Sequence, residues 1–262
     1  MQNKNKTVVR SMDLLQLFLT HTKLTITDMV ELSHIPKTSV HRMIGSLEEM
    51  GFLTKQADGY YTLGLLFLQF GNLVAERLNI RHIALEAMQH LRDDVNRAVH
   101  LAVRDDHSTM YIEKLDTDHP VRLFTKIGKK APLYAGASSR IILAFMPDAD
   151  RENYLNEVEL KPLCSGTIID KQQLREALVQ SQKTGYSFSR SELENYTAEL
   201  GAPIMDHTGQ TIAALSIAGL DVQFGDEQMP DLIQKVQHAA HDISVKLGYT
   251  SRPFYTQKPP EM

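Results

Sequence analysis

The apolar residues of the first fifty positions recur at intervals of three and four, and this spacing predicts three short amphipathic helices. The first helix is predicted from Val8 to Leu19, and its apolar stripe consists of Val8, Met12, Leu15, Phe18 and Leu19. The second begins at Thr27, whose hydroxyl can cap it, and Ser33-His34-Ile35 breaks it. The third begins at Pro36, because proline suits the first position of a helix. Its apolar face consists of Val40, Met43, Ile44 and Leu47.

Two short strand-like segments follow these helices. They are Phe52-Leu53-Thr54 and residues 60–63, and the turn between them has Asp-Gly at its bend, which predicts a β-hairpin. Three helices followed by a hairpin is the layout of a winged helix-turn-helix, in which the helix after the tight turn enters the major groove of DNA. We therefore predict a winged helix-turn-helix domain over residues 7–64.

The outer face of the third helix has a composition that suits DNA. Residues 36–46 include no acidic residue, and Thr38, His41 and Arg42 project away from the apolar face. Arginine can pair with guanine, threonine can contact a thymine methyl group, and lysine and hydroxyl groups bind phosphates. The alternative is an ordinary solvated helix, because eleven residues without an acid also occur by chance.

A helix with a long apolar stripe is predicted over residues 65–79, as a linker. An apolar face on a connecting segment stays wet unless something covers it, so we predict that a neighbouring subunit packs there. Packing against the rest of the same chain is the alternative. The stripe consists of Leu66, Phe67, Phe70, Leu73, Val74 and Leu78.

Residues 80–250 mix strand-like and helix-like segments, and they predict an α+β domain with an antiparallel sheet. Residues 251–262 are assigned to a tail. Strands are predicted at 100–103, 110–115, 121–124, 201–206 and 211–219, helices at 80–96, 141–145, 150–157, 171–185 and 226–246, and a loop at 126–134.

Composition narrows the class of protein. A length of 262 residues suits two ordinary domains, and the single cysteine, Cys164, excludes an internal disulfide framework and fits a reducing compartment, so we expect the cytoplasm. No stretch approaches the roughly 20 apolar residues of a membrane helix, and the polar N-terminus does not resemble a secretory signal. Residues 1–70 carry a net charge of +1, which leaves −5 for the rest, so any DNA contact depends on locally placed charges.

The sequence contains no recognisable catalytic, cofactor or metal motif. Ser138 and Ser139 lack the Gly-x-Ser-x-Gly pattern, and no histidine or asparagine partner can be assigned to Cys164. His238 and His241 share one face of the last predicted helix, but no third metal ligand is evident. We therefore predict no enzyme activity, no cofactor and no metal.

A run of small residues at 134–139 precedes an apolar helix. Free N–H groups at a helix start, reinforced by the helix dipole, can bind an anion without a basic side chain, so a carboxylate would fit there. The alternative is that the small residues only permit close packing.

Three segments carry a family resemblance: VVRSMDLLQLF, IPKTSVHRMIGSLEEMGFL and YYTLG. Residues 7–250 resemble the IclR-type bacterial transcription regulators. The resemblance implies a repressor that binds double-stranded operator DNA, a profilin/GAF-like effector-binding domain, and homodimers that pair into tetramers. For His41 and Tyr60, two of the implied DNA contacts, local packing is the alternative role. Those contacts are Arg10, Lys37, Thr38, Ser39, His41, Arg42 and Tyr60.

The resemblance also indicates an effector pocket. Residues 192–200 match the family's acidic ligand-facing loop, although the usual glycine and cysteine are Tyr196 and Glu199 here. The strand that presents hydroxyls to effectors keeps Ser216, while its second serine is Ala218. Segments YIEKLD and FTKIGKKAPLY are similar to regulators of sugar-acid catabolism, so we predict a small hydroxylated carboxylate as effector. The predicted contacts are Ala135, Gly136, Ala137, Glu192, Glu199 and Ser216.

Three alternatives to these predictions remain open at the level of sequence. Glu192 and Glu199 can face solvent instead of a ligand. The whole chain can also be a ligand-binding or hydrolase-like sensor whose winged helix contacts protein, or a scaffold that dimerises without binding DNA.

Overall fold

A computed structural model describes residues 5–77, 79–117 and 125–250 of the chain. Residue contacts divide the chain into two compact units, residues 1–78 and 79–262. We refer to them as the N-terminal and the C-terminal unit.

The N-terminal unit has the predicted order of three helices, a hairpin and a further helix. The hairpin is antiparallel, with Thr54 opposite Thr62, and Leu24 extends it through a bridge to Tyr61. The elements are α1 (Lys6–Gln16, continued by a 3-10 turn at Leu17–Leu19), α2 (Ile26–Ser33), α3 (Lys37–Glu49), β1 (Leu53–Lys55), β2 (Tyr61–Leu63) and α4 (Leu66–Arg77).

The starts of α2 and α3 differ from the prediction by one or two residues. Thr25, not Thr27, caps α2, because its hydroxyl accepts the N–H of Asp28 at 3.2 Å and the Asp28 carboxylate accepts the N–H of Thr25 at 2.8 Å. The hydrogen bonds that the Thr25 N–H and then the Thr25 hydroxyl donate to the Asp28 carboxylate lower the pKa of Asp28. Pro36 lies one position before α3, and its carbonyl oxygen accepts the N–H of Val40 at 3.1 Å.

The core of the N-terminal unit is formed by the apolar faces of its helices and the hairpin. Leu14, Leu15 and Phe18 of the first helical segment are buried in it. Val8 and Met12, which the prediction placed on the same stripe, remain 59% and 49% exposed. The apolar positions of α1 therefore serve two surfaces, one inside the unit and one outside it.

The C-terminal unit is an antiparallel sheet with helices, which confirms the predicted α+β class. Its strands lie in the order β5-β4-β3-β8-β7-β6, and α6 packs against β7, β8 and α8, while α9 packs against β7 and α5. The elements are α5 (Asn79–Val95), β3 (Ala98–Asp105), β4 (Ser108–Leu115), β5 (Lys130–Pro132), α6 (Ala137–Ala144), α7 (Asp148–Glu157), α8 (Lys171–Thr184), β6 (Ser187–Arg190), β7 (Thr197–Met205), β8 (Thr211–Leu220) and α9 (Met229–Lys246).

Several predicted boundaries in this unit are wrong. The segment 126–134 contains strand β5, and β6 was not predicted because its polar sequence Ser-Phe-Ser-Arg lacks an apolar pattern. The supposed loop at 192–200 becomes strand β7 from Thr197 onward, because these residues pair with β6 and β8. The predicted strand at 121–124 lies outside the described residues.

Candidate nucleic-acid interface and ligand cleft

Helix α3 presents the predicted outer face to solvent. Lys37, Thr38, His41 and Arg42 are exposed, and Ser39 is half-buried. The apolar residues of the opposite face are buried against the rest of the unit. The burial of one face fixes which side of α3 is available to a partner, and that side carries cationic and hydroxyl groups without an acid up to Glu48.

The other two predicted DNA contacts behave differently from one another. Arg10 is exposed on α1. Tyr60 is half-buried, and its ring lies 4.2 Å from Nζ of Lys23, which also forms a 3.1 Å ion pair with Asp58. Local packing, the alternative left open by the sequence, therefore accounts for the position of the Tyr60 ring. The contact of Lys23 with the wing was not predicted, because Lys23 lies between predicted helices, where no periodic pattern marks it.

A small cleft that is partly open to solvent lies in the C-terminal unit beside strands β3, β4 and β7. We call it the effector cleft, because two of the predicted effector contacts, Glu192 and Glu199, line it. Its polar lining includes His100, Tyr111, Lys129, Glu192, Glu194 and Glu199.

His100 is a buried polar residue of this cleft to which no described residue offers a hydrogen bond. It is 1% exposed, and neither ring nitrogen has a hydrogen-bond partner in the part of the chain that the structure describes. Its ring packs edge-on against Tyr111, with ring centroids 5.4 Å apart. Desolvation lowers the pKa of His100 to about 3, so at neutral pH the ring is uncharged and offers one N–H donor and one nitrogen acceptor.

The side-chain carboxylate of Glu199 accepts hydrogen bonds at the start of α6. Its Oε2 accepts the backbone N–H groups of Ala137 at 2.9 Å and Ser138 at 3.4 Å. Its Oε1 lies 2.6 Å from the hydroxyl of Ser138 and 2.8 Å from that of Ser216. The Tyr111 hydroxyl lies 3.5 Å from Oε1, and burial, followed by the charge of Glu199, raises the pKa of Tyr111 well above its usual value.

Glu192 occupies the preceding N–H group of the same helix start. Its Oε2 accepts the N–H of Gly136 at 2.9 Å, and its Oε1 pairs with the guanidinium of Arg140. The Arg140 and Glu192 side chains are only 4% and 5% exposed. Arg140 also donates to the Ser187 hydroxyl at 3.1 Å and to the Phe188 carbonyl.

Glycine at two positions favours this arrangement. Gly136 has φ of 88°, and a Cβ there would lie 2.7 Å from Cδ1 of Leu193. A Cβ on Gly201 would lie 3.3 Å from the backbone nitrogen of Ser138. The two glycines therefore allow the start of α6 to approach β7 closely enough for Glu199 to reach its amides.

The structure brings five of the six predicted effector residues into one hydrogen-bonded cluster. Ala135 stands apart, because its N–H bonds to the Pro132 carbonyl. The alternative that Glu192 and Glu199 face solvent is wrong, since both are buried. The predicted anion site is also corrected: the chain's own carboxylates already occupy the amides at 136–138. Of the six residues, only these two glutamates line the effector cleft.

The sequence missed several residues of the cluster and the cleft. Two of them, His100 and Tyr111, come from strands β3 and β4, which are distant in sequence from the predicted residues, and His100 carries a signal in hindsight. His100 interrupts the apolar strand Ala98-Val99-His100-Leu101-Ala102, where a polar residue must find a partner or remain unsatisfied. The missed residues are His100, Tyr111, Lys129, Ser138 and Arg140.

Within residues 5–77, 79–117 and 125–250 there is no group of three His, Cys, Asp or Glu side chains that could hold a metal ion. His238 instead lies 3.4 Å from the carboxylate of Asp242. None of the helices described is both long enough and apolar enough to cross a membrane.

Comparisons with known proteins match both units. The family model described as "IclR helix-turn-helix domain" matches residues 7–57, and the one described as "Bacterial transcriptional regulator IclR C-terminal" matches residues 72–245. The HTH-type transcriptional regulator KipR of Bacillus subtilis (strain 168) is 52% identical over 250 residues, which cover 95% of this chain and 100% of KipR. The HTH-type transcriptional regulator KdgR of Escherichia coli (strain K12) is 26% identical over 248 residues, covering 94% of each chain.

Solved structures match over nearly the whole chain as well. The crystal structure of Thermotoga maritima IclR is 30% identical, covers 93% of this chain and 99% of its own, and has a TM-score of 0.77. The crystal structure of an IclR homolog complexed with 4-hydroxybenzoate, from Microbacterium hydrocarbonoxydans, is 23% identical, covers 92% and 99% respectively, and has a TM-score of 0.81. The latter likeness is one of fold.

Proposed function

The chain belongs to the IclR family of bacterial transcriptional regulators, and on that basis we propose that it is a repressor whose binding to operator DNA is modulated by a small molecule. Members of the family are regulators of transcription and not enzymes, in agreement with the expected lack of catalytic function. A repressor acts where the chromosome lies, so we also propose the cytoplasm as its location.

The observation that carries the proposal is the exposed, acid-free face of α3 in a winged helix-turn-helix. We propose that the exposed side chains of His41 and Arg42 reach base edges, and that Lys37, Thr38 and Ser39 at the helix start contact phosphates and so fix the orientation on DNA. Arg10 and the wing around Tyr60 would add contacts to the DNA backbone.

Exposed apolar residues on the N-terminal unit support a homodimer. Leu68, Phe70 and Leu73 of α4 are 60%, 49% and 56% exposed, and Val8 and Met12 of α1 are exposed as well. A second copy of the chain would cover these side chains and would place two winged helices on the two halves of a pseudo-palindromic operator. Pairing of dimers into tetramers remains a prediction from the family.

The effector cleft is the proposed site of the small molecule. The predicted class, a hydroxylated carboxylate such as a sugar acid, fits the cleft if its hydroxyls bond to His100 and its carboxylate pairs with Lys129, which lies 3.3 Å from Glu194. The presence of 4-hydroxybenzoate in the Microbacterium homolog supports a small carboxylate in this fold. The effector would act by binding two arrangements of the dimer with different affinity.

DNA binding is tested by gel shift and footprinting with DNA from upstream of the chain's own gene, over a range of salt concentrations. Arg42→Ala is expected to weaken binding by about 1–3 kcal/mol, or roughly 5- to 150-fold, if the side chain reaches a base or a buried phosphate. Arg104→Ala is the matched control, because Arg104 lies in the C-terminal unit and pairs with Asp150. If the wild-type protein fails to bind at low salt, the repressor proposal is wrong and a winged helix that contacts protein becomes the better explanation.

The effector class is tested by thermal shift with sugar acids and with the neutral sugars that match them. A ligand that prefers the folded state raises the melting temperature. We expect a sugar acid to raise it more than its neutral counterpart does. Equal shifts with the two ligands, or no shift with either, would contradict the proposal that the effector is a carboxylate. The proposal of DNA binding does not depend on this result.

A further inference from the structure

We propose that Glu199 is an internal carboxylate that fills this chain's own anion site, so that an effector enters the cleft with an uncharged, hydroxylated end towards Glu199 and His100. The inference rests on the proposed function of the cleft as an effector site. It reverses the orientation that the sequence predicts, in which the effector's carboxylate binds the start of α6.

The hydrogen bonds of Glu199 are those that a bound carboxylate would make. Two backbone N–H groups at a helix start and two serine hydroxyls converge on its oxygens, at 2.6–3.4 Å. Such donors and the helix dipole together form a binding site for a negative charge. Glu199 reaches this site from strand β7, about sixty residues further along the chain, and so takes the place that a free anion would occupy.

At residues 136–138 each backbone N–H already has a carboxylate acceptor, so a second anion finds no free amide among these three residues. The N–H of Gly136 is taken by Glu192, and those of Ala137 and Ser138 by Glu199. A carboxylate placed beside them would meet the buried carboxylate of Glu199 in surroundings of low dielectric constant, where like charges repel strongly. The α6 end of the effector cleft therefore disfavours a carboxylate.

His100 indicates what the cleft takes instead. It is buried, it lines the same cleft as Glu199, and both ring nitrogens lack a hydrogen-bond partner among the described residues. A buried polar group without a partner is costly, so a ligand that satisfies it gains affinity. A hydroxyl group both donates and accepts, and it matches a neutral imidazole without bringing a charge near Glu199.

The test uses acetate as the probe, with the full-length protein and neither DNA nor effector. The melting temperature is measured in sodium acetate and in sodium chloride of equal ionic strength, at pH 7, for the wild type, Glu199→Ala and Glu199→Gln. Ligand-observed NMR measures the affinity for acetate directly. Removal of the side chain in Glu199→Ala opens the anion site, whereas glutamine keeps it filled.

We expect Glu199→Ala to bind acetate at least tenfold more tightly than the wild type, and to gain melting temperature in acetate but not in chloride. Glu199→Gln is expected to behave like the wild type. If the alanine variant folds only in acetate, that dependence also supports the proposal, because acetate then fills the opened anion site. Glu199→Ser provides a second variant in which the site is open. Equal acetate affinity in the wild type and Glu199→Ala, or no acetate binding by either opened variant, would overturn the proposal. Neither outcome depends on whether the protein binds DNA.

Discussion

The buried ion pair between Arg140 and Glu192 provides a quantitative test of what holds the start of α6 in place. Glu192→Ala removes the carboxylate that pairs with Arg140 and that accepts the N–H of Gly136. Both side chains of the pair are about 95% buried, so solvent does not replace the lost partner. Arg140 keeps the Ser187 hydroxyl and the Phe188 carbonyl, but neither neutralises its charge.

The expected loss follows from these contacts. Removing one partner of a buried ion pair costs about 3–5 kcal/mol, because a charge is left buried without compensation. The unsatisfied N–H of Gly136 adds about 1 kcal/mol. We therefore expect Glu192→Ala to lower the free energy of unfolding by about 4–6 kcal/mol, which is a large part of the roughly 5–15 kcal/mol of an ordinary protein.

Urea denaturation followed by far-ultraviolet circular dichroism measures this loss. With a slope of about 2 kcal/mol per molar urea, a loss of 4 kcal/mol lowers the midpoint by about 2 M. The double variant Arg140→Met with Glu192→Met should be at least about 2 kcal/mol more stable than Glu192→Ala, because an apolar pair leaves no buried charge. A loss below about 1 kcal/mol in Glu192→Ala, or a double variant no more stable than that single variant, would refute the reasoning.

Three further predictions concern other parts of the chain. The pKa of His100 is about 3 in the folded protein and about 6.5 in the unfolded protein. Between these pH values the imidazole is therefore protonated in the unfolded state and neutral in the folded state. The free energy of unfolding should therefore fall by about 1.4 kcal/mol for each pH unit below pH 6.5. Urea melts at pH 7 and pH 5 should show that this free energy depends less on pH in His100→Leu than in the wild type. An equal pH dependence in the two proteins would contradict the prediction. Gly45→Ala should raise the free energy of unfolding by about 0.5–1 kcal/mol, because a Cβ there meets nothing within 4 Å and glycine weakens a helix interior; a lower melting temperature would count against it. Leu73→Glu should shift the protein towards monomer in sedimentation velocity. The control Leu163→Glu, which changes an exposed leucine of the C-terminal unit, should not. Equal behaviour of the two variants would contradict a dimer interface on α4.

The N-terminal unit is well predicted from sequence because its structure depends on short-range patterns. Spacings of three and four residues identify the helices, and Asp58-Gly59 marks the bend of the hairpin. The exposed face of α3 follows from the same periodicity, because burying Val40, Ile44 and their neighbours leaves His41 and Arg42 outside. The error at the start of α2 is small, since Thr25 and Thr27 both satisfy the general preference for a cap.

The prediction for α1 shows where the pattern alone is ambiguous. The periodic spacing identifies the apolar residues of this segment but does not say what covers each of them. Leu15 and Phe18 pack inside the unit, while Val8 and Met12 remain exposed. Only the three-dimensional arrangement separates residues of the core from residues available to a partner.

The sequence by itself determined the order of helices and hairpin, the cationic face of α3, and the presence of a small-residue helix start next to acidic residues. Tertiary structure alone decided that Glu199 and Glu192 turn inward onto that helix start, and that no described residue hydrogen-bonds to the His100 ring. Backbone propensity and periodicity act within about one turn of helix or one strand. Contacts between residues such as Ala137 and Glu199 instead depend on how β7 pairs with its neighbouring strands and how closely α6 packs against it.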